Sequence, residues 1–490
     1  MEVYEGTGVR QPVFPIALIL SSLALLTLGV IGGMPVHTLA PVLCVVVLIA
    51  ISYRVALQWN SLISLVIAVI LFIPIRRYTL PVNLPFNLEP YRLLVMVVAL
   101  GWVVSLLVDP RVRTRPTGFR APLLLFGFGA LTSIAVNPTL VNTVEAHVVK
   151  QLSYVASFVI VVWLIVSVVR THEQVDALVK VLVASGATVA GFALVQAKTG
   201  YNIFDHLTTF MPFLHVGYIP DTPLRGGRLR TYGSAQHAIE LGAILAMLVP
   251  LAAYLVRRTA QRRWAALGVL ILLGSMATLS RTAMLMLVVI VVTFLILRPR
   301  QVRRMWPALL PLLLAVHLAM PGTIGTIKQS FFPQGGLIKE QSSNPGYKGS
   351  GRLADVGPSL SKLSRDPLFG QGYGTRITDG PDTNAQILDD QWLSIVVETG
   401  IVGFVAWLWI FLRALRRFGG AARRDRSDRG WLLAALTSGI AAFMIGMFTF
   451  DAFTFTQVTF ILFIELALGI VVLRLKPSEP RAGARRTAAA

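Results

Sequence analysis

Runs of about twenty apolar residues recur along this 490-residue chain. Each is long enough to cross a bilayer's hydrocarbon core as a helix. Lipid offers no partner for a bare peptide group, so only helices and closed barrels span it. Barrel strands read as shorter segments of alternating polarity. Stretches such as "TAMLMLVVIVVTFLIL" (282–297) are continuous instead. The reading is an all-α polytopic membrane protein. The charged fraction agrees: 14%, against roughly 25% in soluble proteins.

About fourteen spans are expected, near 13–32, 37–53, 60–75, 91–109, 121–138, 150–169, 174–197, 235–256, 264–279, 282–297, 305–320, 390–412, 430–450 and 456–473. The first run is too long for a typical signal h-region and has no small-residue cleavage site, so it reads as a retained span. The lone Cys44 excludes an intramolecular disulfide and reads as packing.

The net charge of +21 would suggest nucleic acid in a soluble chain, but here it has a topological explanation. The segments 110–120, 257–263, 298–304, 413–429 and the tail from 474 hold 24 of the 44 Lys and Arg residues. All fall on one side if every run crosses once. The positive-inside rule makes that side cytoplasmic, with both termini inside. The chain then divides into an N-terminal bundle (1–197), a core with outer arginines (198–320), a large extracytoplasmic loop (321–389), C-terminal spans (390–476) and a basic, disordered cytoplasmic tail (477–490).

Against that frame Arg281 is conspicuous, because it sits between two apolar runs at the outer boundary. A charge at bilayer depth costs roughly 3 kcal/mol on insertion scales. Snorkelling at a helix end is the ordinary explanation. Its company favours an anion site: Arg225, Arg228 and Arg230 precede one span, and Arg352 lies in the large loop. Guanidinium groups match phosphate through paired hydrogen bonds and stay charged.

Three outer segments carry motifs. "RLRTYGSAQH" leads into the span after Arg230; "LSRTAMLML" places Arg281 and Leu285 at a span start. The large loop contains Gly351-Arg352 and "PLFGQGYG" (367–374), and runs through "DDQWL" (389–393) into "ETGIVG" (398–403). In order and sidedness this set, spanning roughly 225–410, resembles the O-antigen ligase and O-antigen polymerase family of bacterial envelope glycosyltransferases. The family's ligases carry histidine where this chain has Asp389; the polymerase branch is looser there.

The resemblance implies a GT-C-like fold with a large, partly helical extracytoplasmic loop, in the bacterial plasma membrane. It implies a polyprenyl-pyrophosphate-linked glycan as donor, and an acceptor glycan or lipid whose hydroxyl attacks the anomeric carbon. It also implies an outer-face active site, metal-independent chemistry without a cofactor, membrane lipids as surroundings and no nucleic acid. Arg230 and Arg281 are then the leading diphosphate ligands, with Arg228, Arg225 and Arg352 beside them. Asp389 and Asp390 are the base candidates, one of them capping the helix that follows. His237 and Glu240 are secondary, Glu240 and Glu398 reading as buried partners for arginines. "GQGYG" reads as a tight turn holding the loop over the site.

Polymerase and ligase stay open. A transporter or flippase of lipid-linked glycans is the rival class, and an elongation-type peptidoglycan polymerase a third. A substrate path through the membrane would place charges at depth, whereas the ionisable residues here crowd one face.

Overall fold

The computed structural model describes residues 58–81, 88–109, 112–217, 219–220, 224–225, 227–300, 355–378, 383–385 and 387–477. The spans expected at 13–32, 37–53 and 305–320, and Arg352, lie outside them.

Helices follow in order: α1 (Trp59–Phe72), α2 (Pro90–Val108), α3 (Arg120–Val136), α4 (Pro138–Thr143), α5 (Glu145–Val168), α6 (His172–Thr199) and α7 (Ala238–Thr259). Then come α8 (Arg262–Ala277), α9 (Arg281–Leu297), α10 (Val356–Arg365), α11 (Gln391–Ala414), α12 (Gly420–Arg424), α13 (Asp428–Gly446) and α14 (Thr456–Arg474). A π turn, Leu415–Gly419, joins α11 to α12. Among the described residues, strands are limited to two short antiparallel ribbons: β1 (Tyr78–Thr79) with β2 (His215–Val216), and β3 (Leu224–Arg225) with β4 (Arg228–Leu229).

Seven of the described helices are long and apolar enough to cross a membrane: α2, α5, α6, α7, α11 with its continuation, α13 and α14. The helices α1, α3 and α9 are apolar but shorter. The connection expected over 139–149 is mostly helical, because Pro138 at a first helical position starts α4 and α5 begins at Glu145.

Local chemistry sets several boundaries. Thr171 and Gln174 form a reciprocal capping box at the start of α6, and Gly200 closes it in the left-handed conformation. Ser280 caps α9 by accepting from the Ala283 N–H. The helices α7, α13 and α14 are the most enclosed and form the centre. By contrast α2 leaves Met96, Val97, Leu100, Val104 and Leu107 exposed. Such an apolar face is a liability in water and ordinary against lipid.

The connections sort to two ends. At one end, Arg258 bridges Asp176 (2.9 Å) and Asp428 (3.2 Å), His172 meets the Lys476 carbonyl, and Arg298 donates to the Asp425 carbonyl. The basic connections collect there. The other end gathers the turn after α1, the chain from 200 to 237, the α8–α9 hairpin, residues 366–390 and the turn 447–455. The described sequence motifs lie at this second end, except "ETGIVG", which lies within α11.

Candidate functional site

The second end is organised around a buried arginine. Arg77 is wholly enclosed: it pairs with Asp205 (2.7 Å), donates to the Gly233 and Ala235 carbonyls, and lies over the Tyr232 ring at 4.6 Å. The Tyr232 hydroxyl donates to the other Asp205 oxygen at 2.8 Å. Burial and the Asp205 charge push that phenol up to about 12. The "RTYGSAQ" turn is thus fastened to the turn after α1.

That turn presents the arginines to the α8–α9 hairpin. The last carbonyls of α8 have no intrahelical donors, and they attract positive groups. Arg225 Nη1 donates to the Leu279 carbonyl at 2.7 Å, Arg230 Nε reaches the Thr278 carbonyl at 3.4 Å, and the Thr231 N–H meets the Ala277 carbonyl at 3.5 Å. Leu279 has φ +47°, which turns the chain so that Ser280 caps α9 and Arg281 becomes its first residue. Arg225, Arg230 and Arg281 are therefore brought to one hairpin, and Arg228 lies opposite Arg225 in the β3–β4 ribbon.

His237 caps α7, its Nδ1 accepting from the Ile239 N–H at 3.1 Å, and stacks on Phe455. Burial and the nearby Arg230 and Arg225 lower its pKa to about 4, so the ring is neutral at neutral pH. With Nδ1 accepting, the proton resides on Nε2. Glu240 is fully buried, and its oxygens are taken by the N–H groups of Gln236, Gln457 and Val458. It ties the start of α7 to the start of α14.

The loop motif and the span motif interlock. α11 breaks at Gly400 (φ +63°, ψ −162°), which strands the peptide groups on either side. Lipid cannot satisfy them. The Gln371 N–H donates to the Val397 carbonyl (2.9 Å), and the Ser133 hydroxyl to the Glu398 carbonyl. The N–H groups of Ile401 and Val402 donate to the Pro367 and Leu368 carbonyls at 3.0 and 3.2 Å. Residues 367–371, which overlap "GQGYG" at Gly370 and Gln371, thus complete the broken helix. A Cβ on Gly370 would lie 2.5 Å from the Val397 oxygen, and one on Gly400 2.4 Å from the Leu368 carbonyl.

The break turns Glu398 toward a polar cavity of about 170 Å³. Arg376 Nη1 lies 3.9 Å from the Glu398 carboxylate, and the Gly374 N–H donates to it at 3.2 Å. Arg76, His147 and Lys150 also line it, as do Asp451, Phe453 and Thr454 of the 447–455 turn. That turn also touches the arginine hairpin, through Thr282–Thr449 (2.7 Å) and Gln236 to the Thr454 carbonyl (2.5 Å). One wall therefore separates the hairpin from the cavity. Sequence reasoning missed Arg76, Arg77, Lys150 and Arg376. The available signal for the first two was the "RRY" of 76–78, between the spans expected at 60–75 and 91–109.

Asp390 is the helix cap. Its Oδ1 accepts from the N–H groups of Trp392 (2.8 Å) and Leu393 (3.2 Å). Asp389 is exposed, and it lies close enough to Asp355 that burial and the Asp389 charge together raise the Asp355 pKa. Asn caps about as well as Asp, whereas Ala costs about 1 kcal/mol. Asp390→Asn is expected to melt like the parent and Asp390→Ala to melt lower, in thermal unfolding of the purified protein. Equal melting of the parent and both variants would remove the capping role. No group of three His, Cys, Asp or Glu placed to hold a metal occurs among the described residues; Asp379 and Asp382 lie outside them.

Residues 266–408 match the family model described as O-antigen ligase, and no curated protein matches the chain. The matched stretch opens in α8, takes in Arg281, Asp389 and the 367–374 segment, and ends in α11 beyond the Gly400 break. Through that stretch, which carries the α8–α9 hairpin and the interlocked loop, the chain is similar to the O-antigen ligase family.

Proposed function

We propose that the chain is a membrane glycosyltransferase of the O-antigen ligase or polymerase type, GT-C-like in fold, with about fourteen spans. It passes a glycan from a polyprenyl-pyrophosphate donor to an acceptor hydroxyl at the outer face of the bacterial plasma membrane, both termini being cytoplasmic. The observation that carries this reading is the docking of Arg225 and Arg230 on the hairpin that begins α9 with Arg281. Arg281 and Arg230, with Arg228 and Arg352, hold the donor diphosphate. Asp389 takes the proton of the acceptor hydroxyl, whose oxygen attacks the anomeric carbon. The bond from that carbon to the diphosphate oxygen breaks, and the leaving group departs with the electron pair. Charge builds on the diphosphate, so fixed guanidinium donors lower the barrier there. Neither metal nor cofactor takes part.

The test combines purified full-length protein with polyprenyl-diphosphate oligosaccharide, with and without acceptor lipid, and with a chelator. A ladder of products identifies a polymerase, and a single transfer identifies a ligase. Loss of transfer with chelator would overturn the metal-free chemistry.

One observation favours the rival transporter reading. Glu465 is fully buried within α14, and neither carboxyl oxygen has a hydrogen-bond partner among the described residues. Movement of a labelled lipid-linked sugar across vesicles without glycan transfer would establish that reading instead.

A further inference from the structure

The cavity beside Glu398 is separate from the arginine hairpin, and its lining has its own chemistry. At about 170 Å³ it is smaller than the roughly 300–1,000 Å³ of sites that enclose drug-sized ligands. That leaves room for a single ring rather than an oligosaccharide. Two carboxylates, Glu398 and Asp451, supply acceptors, and Gln151 and Gln391 supply planar amides. The Phe453 ring adds an apolar wall. Such a mixture suits the alternating hydroxyls and C–H faces of a sugar.

The charges favour an anionic one. Three cations, Arg76, Lys150 and Arg376, face two carboxylates. Arg376 is already engaged with Glu398 and with the Ser394 hydroxyl at 3.0 Å. Neither Arg76 nor Lys150 forms an ion pair among the described residues. The Arg76 Nε is buried without a hydrogen-bond partner among the described residues, with Tyr154, Glu89 and Glu240 near its guanidinium. Arg76 also holds φ +69°, a left-handed conformation that is costly for a side chain of this size. Its turn is kept there by the Gly217 N–H, which donates to the Arg77 carbonyl at 2.6 Å. A diphosphate fits this cavity poorly, because its several negative charges would meet Glu398 and Asp451. One negative group beside Arg76 and Lys150, on a ring whose hydroxyls reach the carboxylates, satisfies both the cations and the carboxylates.

We propose that the cavity binds one anionic sugar residue, a ring bearing a carboxylate or phosphate, of the glycan handled at the neighbouring hairpin; this rests on the transferase reading above. The residue belongs either to the donor oligosaccharide or to the acceptor.

The test uses full-length protein in lipid nanodiscs and starts with binding. Thermal protection is measured with D-glucuronate, D-glucose and inorganic pyrophosphate. Glucuronate is expected to protect, and Arg76→Gln or Lys150→Gln to weaken its apparent affinity by about tenfold, the scale of one lost charged contact. Lys150→Gln decides the matter if Arg76→Gln fails to fold. Equal protection by glucose, no protection by millimolar glucuronate, or pyrophosphate protection that Lys150→Gln removes would each overturn the proposal. Pyrophosphate protection lost in Arg281→Ala supports the transferase reading independently, and its absence leaves the glucuronate result standing. In transfer assays, donors and acceptors carrying a uronic acid or a neutral sugar are then compared. The arm whose KM rises about tenfold in Lys150→Gln, for the acidic sugar alone, identifies the source. An unchanged KM in both arms of an active preparation overturns the proposal.

Discussion

Arg281→Ala is expected to reduce glycan transfer by about 10²–10³-fold while leaving yield and melting temperature unchanged. The magnitude is that of removing one preorganised donor from a developing negative charge. The sparing of the fold follows from position. Arg281 is a first helical residue, half-buried, and the α9 cap is made by Ser280. The Leu279 and Thr278 carbonyls of the hairpin are met by Arg225 and Arg230. Arg281→Lys separates charge from shape: an ammonium keeps the positive charge but loses the planar fork that matches phosphate. Intermediate activity is therefore expected for it. Initial rates with a lipid-diphosphate donor, beside melting curves of the same preparations, check both statements. Full transfer by the alanine variant would end the diphosphate role. A loss of activity that tracks a fall in melting temperature would make Arg281 an anchor of the fold.

Gly400→Ala is expected to be the most damaging single change to the fold. Alanine at φ +63° carries about 1–3 kcal/mol of backbone strain, and overpacking adds about 1–3 kcal/mol more. Here the new methyl would press on backbone, the Leu368 carbonyl at 2.4 Å, which has little freedom to move. Gly200→Ala is the matched control. Gly200 also has positive φ, at +76°, yet nothing lies within 4 Å of its missing Cβ. The control should show strain alone and Gly400→Ala strain plus clash, in melting temperature and in monodispersity on size exclusion. Equal melting of the two variants would show that the interlock with 367–371 tolerates a methyl group.

The apolar runs made the helical class and many of the described spans legible, because a bilayer demands length and apolarity whatever the tertiary contacts. Arg281 was legible for a related reason: a guanidinium between two apolar runs has few places to go. The docking of Arg225 and Arg230 was legible only as company on one face. Their partners are backbone carbonyls at 278 and 279, which no side-chain pattern reveals. The cavity was not legible at all. Arg76, Lys150 and Arg376 lie on three connections or helix starts far apart in sequence, and no fixed spacing links them. "ETGIVG" reads as continuous helix, because glycines in an apolar run are common in membranes. Its break depends on 367–371, some thirty residues upstream, arriving to take the stranded peptide groups.

That dependence makes the span beginning at Gln391 unsuitable for transplantation on its own. Its middle carbonyls and amides are met by another stretch of chain and by Ser133 of α3. A chimera that exchanges this crossing between related proteins has to carry residues 367–374 and the Ser133 hydroxyl with it. Without them the graft would expose bare peptide groups to hydrocarbon, and the cell's quality control would meet a misassembled membrane protein rather than an enzyme with altered preference.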